Sequence, residues 1–250
     1  MEALRRIVII GATSGIARHC ARAWLAPGPA DLTLVGRDAE RLARVEADLK
    51  ARSPGSQCHS LPVDLLDPAT IEATVATILE RGAVDTVLIA HGLLPEQPAC
   101  QASLTEAWEA LVVNGMSPVL WAEAFARAME DAGRGTLALI GSVAGDRGRK
   151  SNYTYGAAKS LVATCAAGMQ HRFAGTAVRV VLIKPGPTDT PMTAVLKADG
   201  ARLADVAQVA RDTVRAIDRG VPVAYVPGRW RWIMWVVRSL PMAIFNRLDI

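Results

Sequence analysis

The sequence contains no uninterrupted apolar run of the roughly 18–20 residues that a membrane-spanning helix requires. It also lacks a closely spaced cysteine pair, since its four cysteines are scattered along 250 residues. This spacing argues against a disulfide framework or a metal site and is typical of reduced thiols in a cytoplasmic protein. The apolar run after the first six residues is short and enters a glycine turn, which predicts a buried strand rather than a secretory signal.

The sequence also lacks a large excess of charge of either sign, because its formal net charge is only +4. The segment from Gly228 onward holds four arginines and a single acid, Asp249, so most of the positive excess lies there. The rest of the chain is nearly neutral and offers no general nucleic-acid-binding surface. We therefore expect no nucleic-acid partner.

Short apolar segments alternate with longer segments of helical spacing as far as about residue 226. The apolar segments show no polar alternation, which is typical of strands covered on both faces of a sheet. This order predicts an α/β protein with a Rossmann-like, doubly wound parallel sheet of about seven strands and helices on both faces. The predicted strands are Arg6–Ile10, Asp31–Val35, Ser56–Val63, Asp85–Ala90, Thr136–Gly141, Ala177–Lys184 and Val223–Val226. The predicted helices are Gly15–Leu25, Ala39–Arg52, Pro68–Arg81, Leu104–Ala132, Tyr153–Phe173 and Ala204–Arg219.

A glycine-rich turn follows the first predicted strand and opens the first predicted helix. Its two glycines let the backbone approach a pyrophosphate, and the helix N-terminus offers free N–H groups and a favourable dipole. Glycine turns after strands are common, so the spacing alone is weak evidence. Its place after the first strand of an alternating chain predicts a dinucleotide site. We assign to this site Gly11, Thr13, Ser14, Gly15 and Ile16.

The end of the second predicted strand indicates which dinucleotide binds. An NAD site usually has an acid here, which accepts a hydrogen bond from the ribose 2′-hydroxyl. This chain has Gly36 and then Arg37, whose guanidinium suits the 2′-phosphate of NADP. Alternatively, Arg37 lies at a solvated strand end, and Asp38, one position late, caps the next helix or serves NAD. We favour NADP(H) over NAD(H).

Two further strand ends are candidate cofactor contacts. Asp64, followed by Leu65, suits the adenine amino group, but it could equally cap the helix that starts near Pro68. The small residues Ala90 and Gly92 let the backbone lie against the cofactor. His91 between them is more typical of a structural or loop histidine than of a catalytic base.

Tyr155 and Lys159 are the residues that indicate the chemistry most directly, since positions i and i+4 of a helix share a face. A free tyrosine, with a pKa of about 10, is a poor acid–base catalyst near neutral pH, and a neighbouring ammonium lowers that pKa. Ser142 ends the preceding strand, where ligands of such sheets bind, and its hydroxyl suits a substrate oxygen. Each spacing is frequent by chance, but their conjunction with the phosphate turn predicts a catalytic site.

With these motifs the chain resembles the short-chain dehydrogenase/reductase family over essentially its whole length. The corresponding residues are Gly11, Gly15, Ala17, Asp64, Ser142, Tyr155 and Lys159. The resemblance implies that Lys159 also binds the nicotinamide ribose. Ala90-His91-Gly92 takes the place of the family's Asn-Ala-Gly motif. The replacement of that asparagine by a histidine puts one local interaction with the backbone in doubt, but it does not put the chemistry in doubt.

The resemblance also adds residues that spacing alone does not single out. Asn114 corresponds to the family's catalytic asparagine, which props a proton-relay water near the lysine. The segment that contacts the nicotinamide carboxamide corresponds to Pro185, Gly186, Thr188 and Thr190. Family members usually pair through the helices that hold the asparagine and the tyrosine, so we expect a homodimer or homotetramer.

The composition changes after Pro227. Residues 228–250 hold three of the six tryptophans, and their apolar residues recur at three- and four-residue steps, with a break expected at Pro241. Arginine and tryptophan on an amphipathic segment suit a bilayer interface. The alternative is that this tail packs on the domain or on a partner subunit and helps to close the substrate pocket. We predict a catalytic domain over residues 1–227 and an amphipathic tail over residues 228–250.

These observations predict an NADP(H)-dependent oxidoreductase that reduces a ketone or aldehyde to an alcohol, with Tyr155 as proton donor. The carbonyl substrate is either lipid-linked, and reached at the inner face of a membrane, or a small soluble metabolite. A third hypothesis is a cofactor-sensing protein without catalysis, against which the complete Asn-Ser-Tyr-Lys set argues. The predicted substrate loop, roughly Thr188–Arg202, has no charged cluster that identifies a particular acid or phosphate.

Overall fold

The computed structural model describes residues 4–248. Runs of valine, isoleucine and leucine form its strands, because such side chains pack well on both faces of a buried sheet. The strands are β1 (Arg6–Ile10), β2 (Asp31–Gly36), β3 (Gln57–Pro62), β4 (Thr86–Ile89), β5 (Gly135–Ile140), β6 (Val178–Pro185) and β7 (Val223–Val226). All pair in parallel, in the order β3-β2-β1-β4-β5-β6-β7. The order reverses direction between β1 and β4, which confirms the predicted doubly wound α/β fold.

Helices cover both faces of this sheet. They are α1 (Gly15–Leu25), α2 (Ala39–Arg52), α3 (Pro68–Glu80), α4 (Gln97–Ala102), α5 (Leu104–Leu111), α6 (Ser117–Ala132), α7 (Tyr153–Arg172), α8 (Ala194–Ala198), α9 (Val206–Asp218), α10 (Trp230–Ser239) and α11 (Met242–Phe245). One buried core contains side chains of α1, α2 and α9, and the other contains side chains of α3, α6 and α7. The sheet therefore has an apolar core on each face, and its functional groups lie at the strand ends.

The helical segment predicted over Leu104–Ala132 is confirmed, but it is not one regular α-helix, because a π-helical turn, Val112–Met116, lies between α5 and α6. Asn114 lies in this turn and is fully buried. Its Nδ2 donates to the carbonyl of Ala110 at 2.9 Å and so competes for an acceptor that the α-helical backbone would use. The backbone ladder is shifted there, and the Ser117 N–H donates to the carbonyl of Val112.

The C-terminal tail folds as α10 and α11, and the break expected at Pro241 is confirmed. Arg147, on the loop after β5, holds both helices. Its guanidinium donates to the carbonyls of Val237 at 2.5 Å and Leu240 at 2.7 Å, and it lies 3.8 Å from the centre of the Phe245 ring. The tail therefore packs on the domain. No helix within residues 4–248 combines the length and the apolar character needed to cross a membrane.

Candidate active site

A cleft of about 1110 Å³ opens at the carboxyl ends of the strands. It is larger than the roughly 300–1,000 Å³ typical of sites for drug-sized ligands, as a dinucleotide together with a substrate requires. Of the sequence-predicted site residues, those that line it are Gly11, Thr13, Ser14, Gly15, Ile16, Arg37, Leu65, Ala90, Gly92, Asn114, Ser142, Tyr155, Lys159, Pro185, Gly186, Thr188 and Thr190. The structure brings all the predicted residues except Asp64 to one cleft.

The turn between β1 and α1 has the shape of an anion site. Gly11 has a φ of +79°, and a Cβ there would lie 2.5 Å from the backbone nitrogen of His91, so only glycine fits. Ser14 caps α1 with its side chain. Three backbone N–H groups have no hydrogen-bond partner in the described part of the chain, those of Thr13, Gly15 and Ile16. Free donors at a helix N-terminus fit the pyrophosphate of a nicotinamide dinucleotide.

The end of β2 carries two charged side chains in different surroundings. Asp38 caps α2: its carboxylate accepts from the Arg41 N–H at 2.9 Å and pairs with Arg41 Nε at 3.2 Å. Arg37 is exposed and has no hydrogen bond or ion pair within residues 4–248. The carboxylate is thus already engaged, whereas the guanidinium is available to a ligand.

Asp64 does not reach the cleft. Its exposed carboxylate accepts from the Leu66 N–H at 2.9 Å. The residue that caps α3 is Asp67, whose carboxylate accepts from the Thr70 N–H at 2.8 Å. The alternative that Asp64 caps this helix is therefore wrong, and its contact with adenine stays a prediction.

His91 is a largely buried residue of the cleft wall and is tied to α6. Its Nε2 lies 2.8 Å from the Ser117 hydroxyl, which itself donates to the carbonyl of Leu65 at 2.5 Å. Because the hydroxyl proton is used there, His91 donates through Nε2 and its Nδ1 is an acceptor. Burial, aided by the charges of Lys159 and Arg37, lowers the pKa of His91 to about 3. A neutral, tethered ring agrees with the structural role that the sequence suggests.

Asn114 joins the π-helical turn to the cleft. Its Oδ1 accepts from the Leu93 N–H at 2.9 Å and so fixes the loop after β4. A Cβ at Gly92 would lie 2.8 Å from this oxygen and 3.7 Å from Lys159 Nζ. The predicted asparagine and lysine are therefore neighbours across Gly92.

Ser142, Tyr155 and Lys159 lie together at the end of β5. Ser142 follows the strand directly, and its hydroxyl accepts from the Ala144 N–H at 3.1 Å. Tyr155 is in the first turn of α7, and Lys159 Nζ lies 5.8 Å from the centre of its ring. The ammonium donates to the carbonyl of Ile140 at 3.1 Å. The site thus combines a hydroxyl, a phenol and an ammonium.

The pKa of Tyr155 does not shift as the sequence predicts. Burial raises it to about 12, although the nearby Ser142 hydroxyl acts to lower it. Burial also lowers the pKa of Lys159 to about 8. The prediction of a lowered tyrosine pKa is therefore wrong for this structure, because burial is the largest influence on it. Near neutral pH the phenol is protonated, which is the form that a proton donor needs.

The turn after Ser142, Val143–Asp146, is fixed by Asp146. This buried carboxylate pairs with Lys184 of β6 and accepts from the Tyr225 hydroxyl of β7 at 2.7 Å. Both carboxylate oxygens are used, so the turn is tied to two strands and Ser142 is held in place.

The opposite wall of the cleft follows β6 and meets the tail. The indole of Trp230 lies directly against Gly186, where a Cβ would be 1.9 Å from Nε1. Thr188 donates to the Gly186 carbonyl at 2.9 Å, and Thr190 opens the short helical turn that leads to α8. The start of the tail therefore covers the segment that the family resemblance assigns to the nicotinamide carboxamide.

Sequence reasoning missed several residues that line the cleft: Arg18, Arg149, Asn152, Met192 and Leu196. Arg149 and Asn152 lie in the connection between Ser142 and Tyr155. That connection must border the reacting groups, so a charged residue in it was a usable signal. The other three belong to no motif, and their position follows only from the folded chain.

Known proteins resemble the chain in sequence and in fold. The short chain dehydrogenase family model matches residues 5–201. An uncharacterized oxidoreductase of Streptomyces coelicolor is 30% identical over 98% of this chain and 96% of its own. The sulfoacetaldehyde reductase of Chromohalobacter salexigens is 28% identical over 98% and 92%. A solved structure with NADP at low occupancy, assigned as an NAD(P) dependent gluconate 5-dehydrogenase of Beutenbergia cavernae, is 25% identical with a TM-score of 0.82 over 92% and 98%.

The chain belongs to the short-chain dehydrogenase family and is an NAD(P)-dependent oxidoreductase. Proteins with this fold bind a nicotinamide cofactor. The recognition made from the motifs is thereby confirmed.

Proposed function

We propose that the protein reduces a ketone or aldehyde to an alcohol with NADPH. The observation that carries this proposal is the cluster of Ser142, Tyr155 and Lys159 inside the cleft. The nicotinamide, when bound, supplies the hydride that reaches the carbonyl carbon. The sulfoacetaldehyde reductase relative, whose name states the reduction of an aldehyde, supports the direction of the reaction.

The chain's own residues bind the substrate oxygen and supply the proton that it receives. Ser142 donates a hydrogen bond to the substrate oxygen and orients it. Tyr155, protonated because burial raises its pKa to about 12, gives its phenolic proton to that oxygen. Lys159 holds the nicotinamide ribose, and its ammonium stabilises the phenolate that remains. Asn114 positions the water that returns the proton.

The preference for NADPH rests on the end of β2. Asp38 caps α2 and pairs with Arg41, so its carboxylate is partly used before a ribose 2′-hydroxyl could donate to it. Arg37 has no partner among the described residues and suits a 2′-phosphate. The NADP in the Beutenbergia cavernae structure supports the same choice.

The decisive experiment compares Tyr155→Phe with Tyr153→Phe, whose ring is exposed outside the cleft. NADPH oxidation is followed against an aqueous extract and a lipid extract of the source cell. We expect Tyr155→Phe to bind NADPH normally, by its fluorescence, and to lose roughly 10²–10⁴-fold in turnover, the usual range for general acid–base catalysis. Tyr153→Phe keeps its turnover. Undiminished turnover by Tyr155→Phe would rule out the proposed proton donor, and loss of NADPH binding would point to a structural defect instead.

The tail supports a lipid-linked substrate in this proposal, with residues 1–227 as the catalytic domain and residues 228–250 as an interfacial extension. Trp232 and Trp235 of α10 are 68% and 66% exposed. Indole rings beside arginines settle at the headgroup depth of a bilayer, and α10 begins against Gly186 at the edge of the cleft. Intact protein should float with anionic liposomes, and Trp232→Ser/Trp235→Ser should not. If intact protein stays in the pellet, the soluble small-metabolite reductase is the better description.

A homodimer or homotetramer is proposed to form through α5, α6 and α7. These helices expose apolar side chains at Leu104 (89%), Trp108 (62%), Leu120 and Leu161. Such a patch is typical of an interface between subunits. Light scattering should show an oligomer that Trp108→Glu dissociates and Trp235→Glu does not. A monomeric intact protein would exclude the pairing.

A further inference from the structure

Arg149 lies in the cleft as a cation without a partner among residues 4–248. Its side chain makes no hydrogen bond or ion pair within the described range, and its Nε is buried. Burial lowers the pKa of Arg149 from its ordinary value, yet a guanidinium remains charged at neutral pH. A partly buried cation without a compensating group among the described residues is unfavourable, and an anionic ligand in the cleft would compensate it.

The turn that holds Arg149 runs directly into the catalytic helix. The Asn152 N–H donates to the carbonyl of Arg149 at 3.1 Å, and the Gly156 N–H donates to the carbonyl of Asn152 at 2.8 Å. Asn152 also lines the cleft, and its Oδ1 is buried with no hydrogen-bond partner among residues 4–248. Two polar side chains that have no partner in the described part of the chain therefore precede Tyr155 at the cleft wall.

The charges that line the cleft are unevenly distributed. The lining carboxylates of the described residues are Asp38 and Asp48, both on α2 or at its start, and each pairs with an arginine. In the segment from Ser142 to Lys159, the charged lining side chains are Arg149 and Lys159. Lys159 donates to Ile140, so Arg149 is the cation that remains available to a substrate.

We propose that Arg149 sets substrate specificity by binding an anionic group, a carboxylate, sulfonate or phosphate, that lies a few bonds from the carbonyl carbon. Asn152 donates from its Nδ2 to the same group, because its Oδ1 is an acceptor and cannot bind an anion. Met192, in the turn before α8, and Leu196, on α8, contact the apolar part of the substrate. This inference rests on the proposed function, because it names the class of carbonyl compound that Tyr155 protonates. The anionic group can belong to a soluble compound or to a lipid.

The test uses levulinate, a ketone with a carboxylate three carbons away, and its neutral methyl ester. NADPH oxidation is measured for the intact protein, Arg149→Gln, Arg149→Lys and Arg211→Gln, a control on the exposed face of α9. The intact protein should favour levulinate over the ester by about tenfold or more in kcat/KM, as a charge-assisted hydrogen bond predicts. Arg149→Gln should lose this preference with little change toward the ester, Arg149→Lys should keep part of it, and Arg211→Gln all of it. Preference for the ester, or an equal loss for both compounds in Arg149→Gln, would overturn the assignment.

Two further arms separate the possible failures. The homologue of levulinate with a dodecyl group in place of the methyl group, presented in mild detergent, distinguishes a lipid-borne anion from a soluble one. Thermal unfolding of the NADPH complex needs no turnover: levulinate, but not its ester, should raise the Tm of the intact protein and leave that of Arg149→Gln unchanged. If no carbonyl compound is reduced but this shift occurs, the proposed reaction fails and the anion site stands. If reduction occurs without charge preference or shift, the anion site fails and the reaction stands.

Discussion

The two ends of the cleft are built in different ways. The nucleotide end uses residues that are close in sequence, because the turn after β1 leads straight into α1 and is tied to the neighbouring strand by a 2.8 Å bond from the Gly11 N–H to the Val35 carbonyl. The substrate end joins distant parts of the chain. Arg147 contacts Val237, 90 residues away, and Gly186 lies against Trp230. The phosphate turn of the first end is a local motif that distant residues such as His91 pack against, and the second end exists only in the folded chain.

Their charges differ as well. At the nucleotide end most lining arginines pair with acids, as Arg22 does with Asp48 and Arg44 with Glu40. At the substrate end Arg149 has no such partner within residues 4–248. The nucleotide end is therefore neutralised in part by the protein itself, with Arg18 and Arg37 left without partners among residues 4–248, whereas no acid lines the cleft between Ser142 and Lys159.

Two glycine substitutions test how rigid the two ends of the cleft are. They have the largest effect that we expect on the free energy of unfolding. Gly11→Ala places a methyl group at a left-handed φ and 2.5 Å from backbone that cannot move. We expect the free energy of unfolding to fall by about 2–5 kcal/mol from backbone strain and overpacking together. Gly186→Ala meets only the indole of Trp230, which can move with the tail, so a loss of about 1–3 kcal/mol is expected.

Urea unfolding measures both values. A Gly186→Ala/Trp230→Ala double variant supplies the control, because removing the indole should relieve most of the overpacking. If Gly186→Ala costs as much as Gly11→Ala and the double variant is not improved, the tail is as rigid as the phosphate turn and the comparison fails.

The same contrast explains how far the sequence could be interpreted. The strands and most helices were predictable, since apolar runs and helical spacing record local preferences. The π-helical turn at Asn114 was not, because helical spacing does not distinguish it from an α-helix and the Asn114 side chain is also held by the Leu93 N–H, 21 residues away. The raised pKa of Tyr155 was not either, since the sequence shows the neighbouring lysine but not the burial. Arg149 belongs to no sequence motif. That it has no acidic partner among residues 4–248 can be seen only once the folded positions of the acidic side chains are known.

The next prediction concerns Lys159, a cation buried at the substrate end. Its pKa is about 8 in the folded chain and about 10.5 when unfolded. Between these pH values the unfolded chain holds a proton that the folded chain has released. The free energy of unfolding should therefore rise with pH through this window by up to about 3 kcal/mol, and this gain is lost as the pH falls toward 8.

Denaturant titrations from pH 7 to 10, of the intact protein and of Lys159→Met, measure this effect. The difference between the two isolates the lysine, because the other titrating groups are common to both. If the difference in unfolding free energy between the two proteins did not change with pH, Lys159 would keep its ordinary pKa. Burial of this cation would then not destabilise the substrate end.

A smaller effect is expected at the anchor of the tail. Arg147→Ala removes the hydrogen bonds to the carbonyls of Val237 and Leu240 and the contact with the Phe245 ring. We expect a loss of about 1–3 kcal/mol and faster trypsin cleavage within α10. Arg215→Ala is the matched control, since its exposed ion pair with Asp212 is worth at most about 1 kcal/mol. Unchanged cleavage in Arg147→Ala would mean that the tail is held mainly by Trp230.

The smallest effect is expected at the nucleotide end, where Arg37→Ala should remove one contact from a preformed site. Binding of NADPH should weaken by about tenfold, or about 1.4 kcal/mol, because a charge-assisted hydrogen bond to the 2′-phosphate is lost. Binding of NADH, which lacks that phosphate, should not change. Fluorescence titration with both cofactors measures this, with Arg215→Ala as the control. An equal loss for NADH and NADPH would mean that Arg37 shapes the turn instead of recognising the phosphate, and the nucleotide end would then be as dependent on single side chains as the substrate end.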